Sequence, residues 1–205
     1  MLVNYIIIVT GTPGTGKSIL SRRVALEFNC ISLEDSSLFK SGGALVEDPT
    51  GRETSVIVES KAIKTIEDYV NNLKDNCLVV STLNPSLWLN TVGDYIPLII
   101  LLRCDPRVLI VRLEDRGWSR AKIIENTIAE AFNIIAEEIV EGSWSSMTIE
   151  LDTTHGEPRV EELISRIESW DTGINIDWLS IDPNIIEFTT RLIHELDLYK
   201  GRFWI

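Results

Sequence analysis

Eight consecutive residues carry the most explicit chemistry in the chain: Gly11-Thr12-Pro13-Gly14-Thr15-Gly16-Lys17-Ser18. They satisfy the pattern G-x-x-x-x-G-K-[ST] in full, between an apolar run and a segment of helical character. Glycines there let backbone N–H groups converge on phosphate oxygens with no Cβ in the way. A helix that opens at the end of the loop adds partial positive charge from its N-terminus. Lys17 is expected to reach the β- and γ-phosphates of a nucleoside triphosphate, and Ser18 to offer its hydroxyl to Mg2+. ATP and Mg2+ are therefore the expected ligands, with all eight residues at the phosphates.

A second group of candidates lies in mid-chain. Residues 103–122 hold six Lys and Arg against three Asp and Glu: Arg103, Arg107, Arg112, Arg116, Arg120 and Lys122. Arg112 and Arg116 are four residues apart and would share a helix face, with Gly117 as a stop beside a loop. Arginines so placed can close over a transferring phosphoryl group and neutralise its charge. The competing reading is a solvated face paired with Glu114 and Asp115; the phosphate loop favours the first.

Elements must bring these groups together. Tyr5–Thr10, Leu78–Thr82, Leu98–Arg103 and Met147–Leu151 are continuous apolar runs of strand length, suited to a parallel sheet covered on both faces; a shorter strand is expected at Cys30–Leu33. Helical periodicity marks Ser18–Phe28, Glu59–Leu73, Arg120–Glu141 and Glu157–Trp170. Alternation of the two implies an α/β fold of the P-loop NTPase kind, a doubly wound parallel sheet of about five strands flanked by helices. Residues 1–169 would form this domain, with a flexible segment over about 35–58 and a short lid over about 112–122. Residues 170–205 read as a C-terminal extension. Asp182-Pro183 supplies a helix cap and first position, and a helix is expected over Asn184–Lys200, stopped by Gly201. Trp170, Trp178 and Trp204 fall in this stretch. Either it docks on the chain's own core or it forms an association surface.

Composition excludes several classes. With 205 residues the chain can bury a core without disulfides or structural metal, and its net charge of −12 argues against a sequence-specific nucleic-acid binder. The charge is uneven: residues 1–102 carry −3, residues 103–122 carry +3 and residues 123–205 carry −12. No apolar run approaches the roughly 20 residues that span a bilayer, so no membrane is expected. Gly11 comes too early to leave room for a signal peptide. Cys30, Cys77 and Cys104 are odd in number and far apart, which reads as buried, reduced thiols in a cytoplasmic protein.

The phosphate loop, Arg103-Cys104-Asp105, the run from Arg112-Leu113-Glu114-Asp115-Arg116-Gly117-Trp118 through Lys122-Ile123-Ile124-Glu125-Asn126, and Asp152-Thr153-Thr154 together resemble the small adenylate kinases of the isoenzyme-6 type. These are archaeal and eukaryotic-nuclear nucleotide kinases that also serve small-subunit ribosome assembly. The resemblance covers residues 1–169. It implies ATP phosphates at Gly11–Ser18, Arg112 and Arg116 as lid arginines, and the loop with Thr153 and Thr154 against adenine, where His155 either stacks or stays exposed. Lys17, Arg112 and Arg116 would be catalytic, and AMP the acceptor.

The chain departs from that pattern in three places. Ser81 and Leu83 stand where an Asp and a His are expected at the end of the third strand, leaving Glu59 or Asp105 as substitutes for the carboxylate that steadies Mg2+. Leu38 stands where an Arg is expected after Asp35, with Lys40 as stand-in, and the polar segment over 48–57 offers only Arg52. Three functions follow from these features. The first is an adenylate kinase with ATPase activity. The second is a catalytically weak, ATP-switched assembly factor or chaperone for a basic small-subunit ribosomal protein, whose charge the acidic segment would complement. The third is a small-metabolite kinase on the same fold.

Overall fold

The computed structural model describes residues 5–48, 55–73, 77–93 and 95–202, with side chains described up to residue 199. Arg52 and Trp204 lie outside the described residues. The five-stranded parallel sheet contains β1 (Tyr5–Gly11), β2 (Ile31–Glu34), β5 (Cys77–Ser81), β6 (Ile96–Arg103) and β7 (Thr148–Asp152), in the order β2-β5-β1-β6-β7. The three most apolar runs occupy its three central positions. Ile6, Ile8, Leu78, Val80, Ile99 and Leu101 are fully buried, because helices cover the sheet on both faces.

Two compact units form around the strands, residues 1–10 with 18–100 and residues 11–17 with 101–205. The first contains α1 (Lys17–Glu27, from Ser18 on), α2 (Asp35–Ser41), a hairpin of β3 (Leu45–Glu47) and β4 (Ser55–Ile57), α3 (Glu59–Asn71) and α4 (Pro85–Leu89). β1 and β2 both run parallel to β5, with Ile7 opposite Val79 and Leu33 opposite Val80. Phe39, Ala62, Ile66 and Trp88 are buried in its core.

The same register corrects the expectation of reduced thiols. Ile31 pairs with Leu78, so the residues just before them, Cys30 and Cys77, lie side by side on adjacent strands. Their Cα atoms are 4.9 Å apart and the two are joined in a disulfide across 47 residues of sequence. Spacing along the chain hid a proximity that strand pairing creates. The argument from free thiols to a reducing compartment falls with it, and only Cys104, free and buried, matches the expectation.

The second unit contains the phosphate loop, the end of β6 from Leu101 on, α5 (Pro106–Glu114), α6 (Arg120–Ala131), α7 (Ile134–Glu141), a 3-10 turn at Ser145–Met147, β7, α8 (Val160–Glu168), α9 (Trp178–Ile181) and α10 (Pro183–Arg202). The single helix expected over Arg120–Glu141 is two helices. Asn133 sits between them in the left-handed region at φ 58. Its amide is committed on both sides, accepting from Arg103 and donating to Asp177 at 3.1 Å. These tertiary hydrogen bonds override the apolar stripe that runs through the break.

Residues 171–202 pack within this unit. Leu192 and Leu196 of α10 join Leu109 and Leu113 of α5 and Ile123 and Ile124 of α6 in one buried cluster, with Trp118, Phe188 and Tyr199 at its margin. Trp178 and Ile185 bury a second cluster around Ala131. Asp182 accepts from the Asn184 amide at 3.0 Å, as an N-cap must, and α10 continues through Gly201 to Arg202. Trp170 is 53% exposed. Among the described residues no helix is long and apolar enough to cross a membrane.

Ion pairs fix the docked segment. Arg107 bridges Asp105 and Asp182 at 2.6 and 2.7 Å, and Arg120 bridges Glu114 and Glu195 at 2.5 and 2.8 Å. The Arg120 hydrogen bonds hold Glu195 below the ordinary carboxylate range. Asp182 is lowered by the Asn184 amide and side chain and then by Arg107, and Asp177 by Ser180 and Asn133. Because these folded-state values are depressed, their stabilisation is complete above the ordinary carboxylate values of about 4 and fades as pH falls below them. Thermal melts at pH 7 and pH 3.5 should show this loss. Arg120→Met should lower Tm at pH 7 by a few degrees and flatten the pH dependence; an unchanged pH profile would show that the Glu195 pair contributes nothing.

Candidate active site at the phosphate loop

The loop between β1 and α1 is built by close packing at its glycines. Gly11 has φ 138, and a Cβ there would come within 2.3 Å of the Leu102 carbonyl oxygen. Gly14 has φ 98, and a Cβ would come within 2.7 Å of a Leu109 methyl on α5. Both conformations and both spaces belong to glycine. The loop therefore lies flat against β6 and α5 within the second unit.

Lys17 closes the loop on itself. Its ammonium donates to the Gly11 carbonyl at 2.6 Å and the Thr12 carbonyl at 3.1 Å. The Thr12 carbonyl also accepts from the Thr15 hydroxyl at 2.8 Å and the Thr15 amide at 3.3 Å. Side chains of Thr12 and Thr15 are thus spent on holding the loop, and Pro13 has no N–H to give. The backbone N–H groups, the Lys17 ammonium and the half-buried Ser18 at the start of α1 remain as the loop's donors for an anion. This donor set fits a nucleotide polyphosphate. Among the described residues no three His, Cys, Asp or Glu side chains converge as a metal site.

The basic island divides into two kinds of residue. Arg103 is buried at 1% exposure and bonded to Glu130 and Glu150, and Arg107 and Arg120 are paired with the C-terminal segment. Lys122 sits 4.2 Å from the Trp118 ring centroid. The expectation that the whole island handles phosphate is therefore corrected, because half of its cations neutralise acids far along the chain. Arg112 donates to the Thr153 carbonyl at 2.6 Å and the Thr154 carbonyl at 3.1 Å, so it is fixed on the loop after β7. Arg116 is exposed and has no partner among the described residues. α5 ends at Glu114, which puts Arg116 in the following turn, where Gly117 has φ 68, rather than on one helix face with Arg112.

Thr153 and Thr154 are also anchored. The Thr153 amide and hydroxyl both donate to the Arg103 carbonyl at 2.8 Å, and the Thr154 hydroxyl accepts from the Asp105 amide at 2.8 Å. Asp105 caps α5 and accepts from Arg107 three times, so it is not available to replace the missing third-strand carboxylate. Ser81 is buried at the end of β5, and Leu83 is 43% exposed. His155, His194, Lys40 and Glu59 are exposed. A groove of about 870 Å³ between α2 and α3, lined by Ser41, Lys61, Lys64 and Tyr69, opens beside Ile31 at the amino end of β2.

Sequence reasoning placed Glu130 within the helix expected over Arg120–Glu141 and Trp178 in the C-terminal stretch but gave neither a task at the loop, and it did not single out Glu150 or Asn133. One signal was present: Glu130 occupies the apolar face of α6, three residues from Thr127 and seven from Ile123, all buried. Burial also raises the Cys104 thiol to about 12. The native protein should show no thiol reactive to a disulfide reagent at pH 8, and one after denaturation; fast native labelling would contradict the buried, protonated thiol.

The profile of a family described as "AAA domain" matches residues 7–133. A protein of Sulfurisphaera tokodaii named "Putative adenylate kinase" is 36% identical over 177 residues, 86% of this chain and 87% of its own. Proteins of the same name from Saccharolobus islandicus and Pyrococcus abyssi are each 32% identical, covering 96% and 89% of this chain and 98% and 96% of their own. Among solved structures, shikimate kinase from Acinetobacter baumannii aligns with TM-score 0.52 at 11% identity, over 82% of this chain and 93% of its own. A sugar kinase from a Janibacter species aligns with TM-score 0.51 at 14% identity, over 82% of this chain and 94% of its own. Such low identities establish the fold, that of the P-loop kinases. The family match and the archaeal relatives go further: the chain belongs to the AAA-domain family that matches residues 7–133 and to the family of these archaeal proteins named "Putative adenylate kinase".

Proposed function

We propose that the chain is an adenylate kinase of the isoenzyme-6 type, converting ATP and AMP to two ADP. The observation that carries this reading is the complete phosphate loop closed on its own lysine, with Lys17 held by the Gly11 and Thr12 carbonyls. A nucleotide exchanges those two carbonyls for phosphate oxygens with little movement of the loop. Backbone N–H groups of Gly11–Ser18 orient the β- and γ-phosphates. An AMP phosphate oxygen attacks the γ-phosphorus, the bond to the β,γ-bridging oxygen breaks, and ADP leaves. Lys17 and Arg116 neutralise charge that spreads over the transferred group. Arg112, fixed on Thr153 and Thr154, shapes the nucleoside end of the site. Magnesium, when bound, screens the phosphate oxygens. No side-chain base is required, in keeping with the exposed positions of both histidines.

The test is an acceptor screen with ATP. AMP should accelerate ADP formation over ATP alone, and other nucleoside monophosphates less so. Acceleration by a sugar or hydroxy-acid, but by no monophosphate, would replace this reading with a metabolite kinase.

A second reading has its own support. Ser81, Leu83 and Leu38 leave the site without the carboxylate expected near Mg2+, the imidazole and the guanidinium expected for the acceptor. A slow ATPase that holds and releases a basic small-subunit ribosomal protein needs no acceptor. Exposed Glu137, Glu141, Glu161 and Glu162 remain after the internal pairs are made, and would suit such a partner. Retention of a ribosomal protein at moderate salt, dependent on ATP or ADP, supports this role; retention of none excludes it.

A further inference from the structure

Glu130 lies on the buried face of α6 at 3% exposure, and its carboxylate accepts four hydrogen bonds. The donors are the Thr12 hydroxyl at 2.5 Å, Arg103 Nε at 2.9 Å, the Cys104 amide at 3.1 Å and the Trp178 indole N–H at 2.9 Å. Arg103 also donates to Glu150 and to the Ile176 carbonyl, each at 2.9 Å. Glu150 accepts from the amides of Asn175 and Ile176 at 2.6 and 2.9 Å. Two buried carboxylates thus share one buried guanidinium. The second negative charge is met by N–H and O–H donors, and three of these come from residues 175–178. A donor lost from such an array leaves a buried carboxylate short of a partner, and the remaining donors must shift.

Thr12 is the donor on the opposite side of the array. Its carbonyl holds Lys17 and Thr15, so the carboxylate that fixes the Thr12 side chain also fixes the loop that presents the lysine. We propose that Glu130 and Trp178 are positioning residues for the phosphate loop. Residues 175–178 set the conformation of Thr12, and through it that of Lys17, without touching the nucleotide. The C-terminal segment is then part of the phosphate site's support. The consequence for nucleotide affinity rests on the kinase reading above; the wiring itself does not.

The experiment measures hydrogen exchange of the loop peptide in the full-length, ligand-free protein, with the α3 peptide as internal reference. Trp178→Phe removes one N–H and keeps an aromatic ring; Thr12→Val removes the hydroxyl from the other end; Trp170→Phe changes an exposed tryptophan eight residues earlier in the chain. Loop exchange should quicken about tenfold in the first two variants, with α3 exchange unchanged, and stay at the wild-type rate in the third. The ATP dissociation constant should rise about tenfold in each of the first two, and Trp178→Phe should add little in the Thr12→Val background. A purely structural role for Trp178 gives additive losses and uniform quickening across the chain, and that result overturns the proposal. Unchanged loop exchange in both variants overturns it as well. Should Trp178→Phe fail to fold, Thr12→Val alone decides. A wild-type protein that binds no ATP defeats the kinase reading, while the exchange data still judge the wiring.

Discussion

Lys17→Ala should lower ADP formation from ATP and AMP by about 10²–10³-fold, the usual loss when one preorganised charge donor is removed from a developing anion. The fold should survive. Lys17 is only half-buried, and the carbonyls of Gly11 and Thr12 that it leaves belong to a loop also held by Thr15 and Glu130. The loss should fall mainly on kcat, because backbone N–H groups still bind the phosphates while the charge on the transferred group goes unmet. Steady-state kinetics beside a thermal melt separate the two effects. Activity within threefold of wild type, in a folded protein, would remove Lys17 from the chemistry.

The second large effect is on stability. Cys30→Ser with Cys77→Ser opens a loop of 47 residues in the unfolded chain. In the chain-entropy account such a crosslink stabilises by about 4 kcal/mol. For a chain of this length that corresponds to a fall in Tm of roughly 8–16 °C. A reducing agent should reproduce the shift on the wild-type protein and leave the double variant unaffected. The loss should concentrate at β2, an edge strand whose one neighbour in the sheet is β5. The loop at Gly11–Lys17 carries no part of the bond, so activity at low temperature should persist. A Tm within 2 °C of wild type would contradict this account of the disulfide's weight.

What the sequence disclosed is what short-range patterns encode. β1, β5 and β6 were legible because strands covered on both faces read as unbroken apolar runs, and the phosphate loop because its eight residues are contiguous. Long-range pairing was not legible. Arg103 meets Glu150 and Ile176, Arg107 meets Asp182 and Arg120 meets Glu195, across separations of 47 to 75 residues. The mid-chain positive charge could be counted from composition, but its division between ligand and scaffold depended on which acids the fold brings near. Cys30 and Cys77 show the same limit, since a strand register joins residues that spacing keeps apart. Asn133 shows it on the scale of one helix: its apolar neighbours continue the stripe, while its amide answers to Arg103 and Asp177. In the candidate site, Lys17, Ser18, Arg112 and Arg116 were recognisable from local motifs. Glu130 and Trp178 were not, because Glu130 meets Thr12, and Trp178 meets Glu130, across separations of 118 and 48 residues.

The central claim is that this phosphate loop transfers the γ-phosphoryl group of ATP to AMP. Incubating the purified protein with ATP, Mg2+ and AMP labelled in the nucleoside, and separating the nucleotides, tests it most directly. Label should pass from AMP into ADP, with two ADP formed for each AMP consumed, and Lys17→Ala should slow the transfer by about 10²–10³-fold. ADP that arises from ATP with release of inorganic phosphate, while labelled AMP stays unchanged, would contradict it.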